Sequence, residues 1–151
     1  MKRILFLVII TFVLYNCNTH PESQATEQET ASTEGEADEN IPMVIELDNG
    51  NKWTVNDEMK PFVSKGEELV NSYLQSQQTD YKQLAQQLKE ENNQLIKSCT
   101  MDGRSHEELH KWLHPHLEMV EELAKEEDAG KAKELVAQLQ KSYETYHQYF
   151  N

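Results

Sequence analysis

Apolar residues recur at intervals of three and four positions from residue 56 onward, and no other feature constrains the fold as strongly. This spacing predicts amphipathic α-helices, each with one apolar face that must be buried. We predict helices at about residues 57–74 and 80–99, a third that begins at Ser105, and a fourth at about 130–150. Because the links are short, consecutive helices should be antiparallel neighbours. The sequence therefore predicts an all-α domain over residues 56–151, an up-down-up-down four-helix bundle.

Local signals mark where these helices begin and which faces they bury. Thr79 is a candidate cap for the second helix, and Ser105-His106-Glu107-Glu108 is a capping box for the third, after the stop signal Gly103. Pro115 should kink the third helix, because it removes the hydrogen bond to the Lys111 carbonyl. The predicted apolar faces comprise Phe62, Leu69, Val70, Tyr73, Tyr81, Leu84, Leu88, Leu95, Ile96, Cys99, Leu109, Trp112, Leu113, Leu117, Val120, Leu123, Ala132, Leu135, Val136, Leu139, Tyr143, Tyr146 and Phe150.

A short β-hairpin is predicted ahead of the helices, at residues 41–55. Two apolar-rich runs, residues 43–47 and 52–55, flank Asp48-Asn49-Gly50-Asn51. Asn-Gly between such runs is the strongest short-range signal for a hairpin turn. An isolated hairpin is marginal in water, so we expect Trp53 to pack on a helix.

The first residues have the features of a secretory signal. Lys2-Arg3 precedes an apolar run from Ile4 to Tyr15, which is shorter than the roughly 20 residues that a transmembrane helix needs. Leu14-Tyr15-Asn16-Cys17 resembles the lipobox of bacterial lipoproteins, with Asn16 where that family usually has Gly, Ala or Ser. The resemblance implies that residues 1–16 are a cleaved signal peptide. It also implies that Cys17 is acylated and anchors the protein to a lipid bilayer of the cell envelope, on the periplasmic side or at the cell surface.

The next segment, residues 17–40, is predicted to be a disordered acidic tether. Asn18 to Asn40 contains seven acidic residues, no Lys or Arg and no large apolar side chain. Such a segment cannot bury enough surface to offset the entropy of ordering. The whole chain has a formal net charge of −13, which argues against nucleic acid and anionic lipid surfaces as partners and is compatible with cations or basic proteins.

One region carries side chains that could bind a metal ion. The predicted bundle would bring the end of helix two and the start of helix three together, and these termini carry Cys99, Met101, His106 and His110. Thiolate and thioether donors select soft ions such as Cu(I), and imidazole also suits Zn(II). We therefore predict a soft-metal site with copper as the preferred ion and zinc as an alternative. Possible additional ligands are Met59, His114, His116 and His147.

Other interpretations stay open at this point. Core packing alone would explain Cys99, which continues the apolar face of helix two. The bundle is similar to periplasmic four-helix b-type cytochromes, and that resemblance implies haem with Met59 and His147 as axial ligands. A third possibility is a protein-interaction module of the envelope that presents Tyr and Trp to a partner and needs no cofactor. An enzyme is not predicted, because the sequence has no nucleophile motif and no glycine-rich phosphate loop.

Overall fold

Four α-helices make up most of residues 44–151, the part of the chain that the computed structural model describes. They are α1 (Lys60–Gln75), α2 (Tyr81–Ser98), α3 (Gly103–Lys125) and α4 (Ala129–Tyr149). The predicted all-α class is therefore confirmed for this part of the chain. The predicted signal peptide, the Cys17 anchor and the tether lie outside the described residues.

The helices pack on one another in the order of the chain. α1 contacts α2, α2 contacts α3, and α3 contacts α4, while α1 also contacts α4. The links between consecutive helices are short, at residues 76–80, 99–102 and 126–128. Within residues 44–151, no helix is both long enough and apolar enough to cross a membrane.

The helix starts differ from their predicted positions by one to three residues, and the difference is largest for α1, which begins at Lys60. α2 is capped by Asp80, not by Thr79, because the Asp80 carboxylate accepts a hydrogen bond of 3.0 Å from the Gln83 backbone. α3 already begins at Gly103, and Ser105 lies inside its first turn. The Ser105 hydroxyl donates to the Asp102 carbonyl, so the predicted capping box is wrong. The four-residue pattern from Ser105 to Glu108 carries no information on whether α3 already begins upstream of it, at Gly103.

Glu108, the acidic member of that expected box, instead holds the segment that leads into the domain. Its buried carboxylate accepts hydrogen bonds of 2.8 Å from the Glu46 backbone N–H and from Lys111. Burial disfavours the charged carboxylate, but these two donors outweigh it and lower the pKa of Glu108. Lys111 also donates to the Val44 carbonyl, and the Trp53 indole donates to the Glu46 carbonyl. Residues 44–46 are therefore fixed against α3.

The predicted hairpin turn is present, but its strands are not. Asp48 and Asn51 exchange two backbone hydrogen bonds of 2.9 Å around Asn49 and Gly50. Both central residues have positive φ, at 51° and 88°, as a type I′ turn requires. Beyond this closing pair, no strand forms anywhere in residues 44–151.

The second half of the expected hairpin pairs with the end of α4 instead. The Trp53 N–H donates to the Tyr149 carbonyl at 2.8 Å, and the Asn151 N–H donates to the Trp53 carbonyl at 3.1 Å. The Val55 N–H donates to the Asn151 carbonyl. This pairing buries Trp53 and Val55 in the core, which a free hairpin could not do.

The core contains the predicted faces of α3 and α4 with few changes. Every predicted inward residue of α4 is buried, and in α3 Leu117 alone is half-buried. In α2, Ile96 is 46% exposed although it was predicted to face inward, whereas Ala85 and Asn92 are buried. Ile96 follows the buried Leu95 by about 100° around the helix axis, which takes its side chain past the edge of the interface. α3 continues unbroken through Pro115, which is exposed, and the predicted kink stays a prediction.

Gly66 gives a test of how tightly α1 and α4 pack. The Tyr143 hydroxyl of α4 occupies the space that a Cβ at Gly66 would need. In Gly66→Ala, the cost of overpacking, about 1–3 kcal/mol, should exceed the gain in helix propensity of about 1 kcal/mol. We expect a net loss of stability in urea unfolding. In a Tyr143→Phe background the same substitution should cost less, because the hydroxyl is gone and only the ring carbon Cζ remains close, at 3.1 Å. An equal loss in both backgrounds would contradict the role of the hydroxyl.

Candidate functional site

Cys99 lies where α2 ends. It is the C-cap residue, with an extended backbone (φ −71°, ψ 119°), and its N–H donates to the Ile96 carbonyl at 3.3 Å. Asn56 contacts the backbone on both sides of it, since its side chain bonds to the Ser98 carbonyl and the Thr100 N–H. Cys99 is half-buried and forms no disulfide with another described residue. The backbone around Cys99 is therefore held in place, and the residue stays partly exposed to solvent.

Three histidines of α3 form a row along one side of the helix, His106, His110 and His114, which we call the histidine row. Their four-residue spacing stacks the side chains on successive turns. The ring centroids of His106 and His110 are 4.4 Å apart, and those of His110 and His114 are 4.8 Å apart. Burial lowers the pKa of His110, and the charges of the two flanking rings lower it further. Its imidazole therefore favours the neutral form, which is the form that binds metals.

Cys99 and the histidine row line the same groove between α2 and α3, which we call the Cys99 groove. Its volume is about 320 Å³. The lining comprises Ile96, Cys99, His106, Leu109, His110, Leu113, His114 and Leu117. The groove thus combines one thiol and three imidazoles with an apolar wall. His114, which was predicted as a possible additional ligand, lines the same groove.

The other predicted ligands do not line the Cys99 groove. Met101 is half-buried and packs against the core, and Met59 is buried within it. His147 bonds to Glu67 of α1, with 2.8 Å between Nε2 and the carboxylate. His116 faces the interface with α4. The structure therefore brings together three of the four principal predicted ligands and one of the additional ones.

The side chains as they stand do not form a finished metal site. Among residues 44–151, no three or more His, Cys, Asp or Glu side chains are arranged so that one ion could bind them together. Rotation of the exposed or half-buried imidazoles is a small change, because side-chain rotamers commonly shift on binding. The groove therefore offers suitable donors that would have to turn toward a common point.

His116 is a buried core residue. Its ring is stacked on Trp112 and meets Tyr143 edge-on, with centroids 4.9 and 4.8 Å apart. Nδ1 lies 3.0 Å from the Ser142 hydroxyl, and Nε2 has no hydrogen-bond partner among the described residues. Burial lowers the pKa of His116 to about 4, so the ring is neutral at physiological pH. It serves packing between α3 and α4.

Comparison with known proteins assigns no family to this arrangement. No protein-family model matches the chain, and no curated protein and no solved structure is significantly similar to it.

Proposed function

We propose that this protein is a cell-envelope lipoprotein, anchored through an acylated Cys17, whose helical domain binds a soft metal ion in the Cys99 groove, with copper as the preferred ion. One observation carries the proposal: Cys99 and the histidine row line a single groove. The groove carries a thiol and three imidazoles on two packed helices. Binding of one ion would require these side chains to turn toward a common point. The proposal assigns the protein to buffering, sensing or resistance and includes no enzymatic activity.

The donors have distinct roles in this proposal. Cys99 supplies the thiolate, the donor that selects a soft ion such as Cu(I). His106 and His110 supply imidazoles from consecutive turns of α3, and His114 lies at the same groove as a further donor. Zinc is the alternative ion, because thiolate and imidazole also suit Zn(II). The net charge of −13 attracts cations of either kind.

Met101 contributes only if the link between α2 and α3 moves. Its side chain packs against the core and does not line the groove. A thioether would strengthen the preference for Cu(I) over Zn(II). We therefore keep Met101 as an accessory donor and make Cys99 the required one.

We further propose that the helices alternate in direction, as an up-down-up-down bundle. The contacts between consecutive helices, the contact between α1 and α4, and the short links support this arrangement. In such a bundle the end of α2 and the start of α3 adjoin, which is the location of the proposed site.

Haem is the weaker alternative, because it has no space at its expected position. Met59 is buried among core residues, and His147 is engaged by Glu67. Trp112 and Tyr146 pack with ring centroids 4.9 Å apart in the same core. The two proposed axial ligands could bind one haem only if these rings moved out of the core.

A protein-interaction module is the second alternative, and the exposed Ile96 favours it. This side chain is 46% exposed and lies on the lining of the Cys99 groove. Of the aromatic residues at the end of the bundle, Tyr146 and Phe150 are buried and Tyr149 is half-buried, and both tryptophans are buried as well. The exposed Ile96 in the groove is therefore a better candidate contact for a partner than these aromatic side chains.

Titration with Cu(I) tests the proposed function. The full chain carrying Cys17→Ser, kept reduced in detergent, has Cys99 as its sole thiol and can be titrated against a chromophoric competing chelator. We expect tight one-to-one binding that weakens in Cys99→Ser and in His106→Ala. The reason is that the first variant removes the thiolate and the second removes an imidazole that lines the same groove.

His147→Ala is the matched control for the loss of an imidazole. His147 lies at the contact between α4 and α1, so its removal should leave Cu(I) affinity unchanged. No competition with the chelator would exclude copper, and a parallel titration with Zn(II) would then decide for or against the alternative ion. Absence of binding to both ions would leave the interaction module as the function to pursue.

A further inference from the structure

The side-chain amide of Asn56 forms three hydrogen bonds beside the proposed site. Its Oδ1 accepts a hydrogen bond of 3.2 Å from the Thr100 N–H. Its Nδ2 donates to the Ser98 carbonyl at 2.9 Å and to the Glu58 carboxylate at 3.0 Å. Both amide protons and the amide oxygen are therefore in use, and a reversed orientation of the amide would lose all three bonds.

Two of these bonds lie immediately before and after Cys99. The last carbonyls of a helix have no partner within it, and the Ser98 carbonyl obtains one from Asn56. The Thr100 N–H, just past the end of α2, obtains its partner from the same amide. The backbone on both sides of the cysteine is thus held by one side chain from a distant part of the chain.

Asn56 is itself held in place by its neighbours. The preceding residue, Val55, is 1% exposed, and its N–H donates to the Asn151 carbonyl. The Asn56 carbonyl accepts from the N–H of Met59, whose side chain is also buried. The amide therefore belongs to a fixed segment and can impose its position on Cys99.

We propose that Asn56 is a positioning residue that sets the direction of the Cys99 thiol into the Cys99 groove. The proposal rests on the proposed metal site. It adds the requirement that a side chain outside α2 holds the end of that helix in place. Groups that orient a metal ligand typically contribute about 10- to 100-fold to affinity. Loss of the Asn56 amide should weaken Cu(I) binding by that factor, although Asn56 contacts no ion.

Asn56→Ala is compared with Asn71→Ala in the full chain carrying Cys17→Ser. Asn71 is a matched control, because it is also half-buried and its amide oxygen accepts a long-range hydrogen bond, from Gln140. Two quantities are measured: Cu(I) affinity by chelator competition, and the rate at which the Cys99 thiolate attacks a chromogenic disulfide reagent and releases its coloured thiolate. We expect Asn56→Ala to bind Cu(I) about 10- to 100-fold more weakly and to react several-fold faster, with neither change in Asn71→Ala.

A second variant removes the hydrogen bond between Asn56 and Thr100 by changing Thr100. Thr100→Pro lacks the N–H that donates to Asn56, and the extended backbone of Cys99 is compatible with a following proline. It replaces Asn56→Ala if circular dichroism shows that the latter has lost its helices. Equal effects of the Asn56 and Asn71 variants, or no effect of either, would overturn the positioning role. If the parent chain binds no Cu(I), the proposed function fails, and the thiol reaction rate alone decides whether Asn56 positions Cys99.

Discussion

The double variant His116→Phe/Ser142→Ala is expected to show a weaker pH dependence of the free energy of unfolding than the parent protein. The difference is the contribution of His116 between pH 6.5 and about 4. Burial lowers the pKa of this imidazole from its ordinary 6.5 to about 4 in the folded protein. In that window the unfolded chain binds a proton that the folded protein does not. Stability therefore rises with pH across the window and falls as the pH drops.

The expected size of this effect follows from the pKa difference. A pKa lowered from 6.5 to about 4 corresponds to about 3 kcal/mol of stability at neutral pH that is lost by about pH 4. Urea unfolding of both proteins from pH 7 to pH 4 measures it, because the carboxylates and the other histidines contribute equally to the two curves. Phe keeps an aromatic ring between Trp112 and Tyr143, and Ala at position 142 leaves no hydroxyl without its partner.

Ser142→Ala alone is the control for this experiment. It retains the buried imidazole, so it should keep the full pH dependence of the parent while losing one hydrogen bond. If the double variant and the parent lose stability equally on acidification, His116 is not the group responsible. The acid sensitivity would then belong to carboxylates such as Glu108, whose pKa is lowered in the fold.

The second large effect is expected at the end of α4. Phe150 is 1% exposed, and its ring stacks on Tyr146 with centroids 5.3 Å apart. Removal of a buried phenylalanine ring typically costs about 3–5 kcal/mol, because the cavity refills only in part. We expect Phe150→Ala to lower the free energy of unfolding by that amount, measured as a lower urea midpoint at unchanged slope.

Gln148→Ala is the matched control, since Gln148 is exposed on the same turn of α4. Its effect should stay within about 0.5 kcal/mol, which is typical of surface substitutions. A similarly small effect of Phe150→Ala would mean that the end of α4 frays in solution. The pairing of Trp53 with Tyr149 and Asn151 would then not contribute to stability.

The helices were predictable because each buries a face with the period of an α-helix. The seven apolar residues from Ala132 to Phe150 that were predicted to face inward are all buried, and the short links limited how the helices could be connected. Helix starts were less predictable, since Ser105 and Glu108 fit a capping box in sequence but are used elsewhere. The carboxylate of Glu108 bonds to a residue more than sixty positions away, and local patterns carry no such information.

The candidate site was predictable to the extent that it depends on helix geometry. The four-residue spacing of the histidine row places its side chains on one side of α3, and the short link brings Cys99 beside them. Met101 lies in that link, where no periodicity determines the direction of a side chain. Asn56 was not predicted at all, because its contacts with residues 98 and 100 are tertiary and its own neighbourhood in sequence shows no sign of them.

The pairing of Trp53 and Val55 with residues 149–151 has a consequence for biosynthesis. The ribosome makes Trp53 and Val55 before residues 149–151, so the partners that cover these two side chains arrive only when the four helices between them have been made. A nascent chain therefore carries an uncovered tryptophan while these helices are synthesised, and such exposed apolar groups are what chaperones bind and what promotes aggregation. The folding step that joins the two ends of the domain has to wait until residues 149–151 have been made.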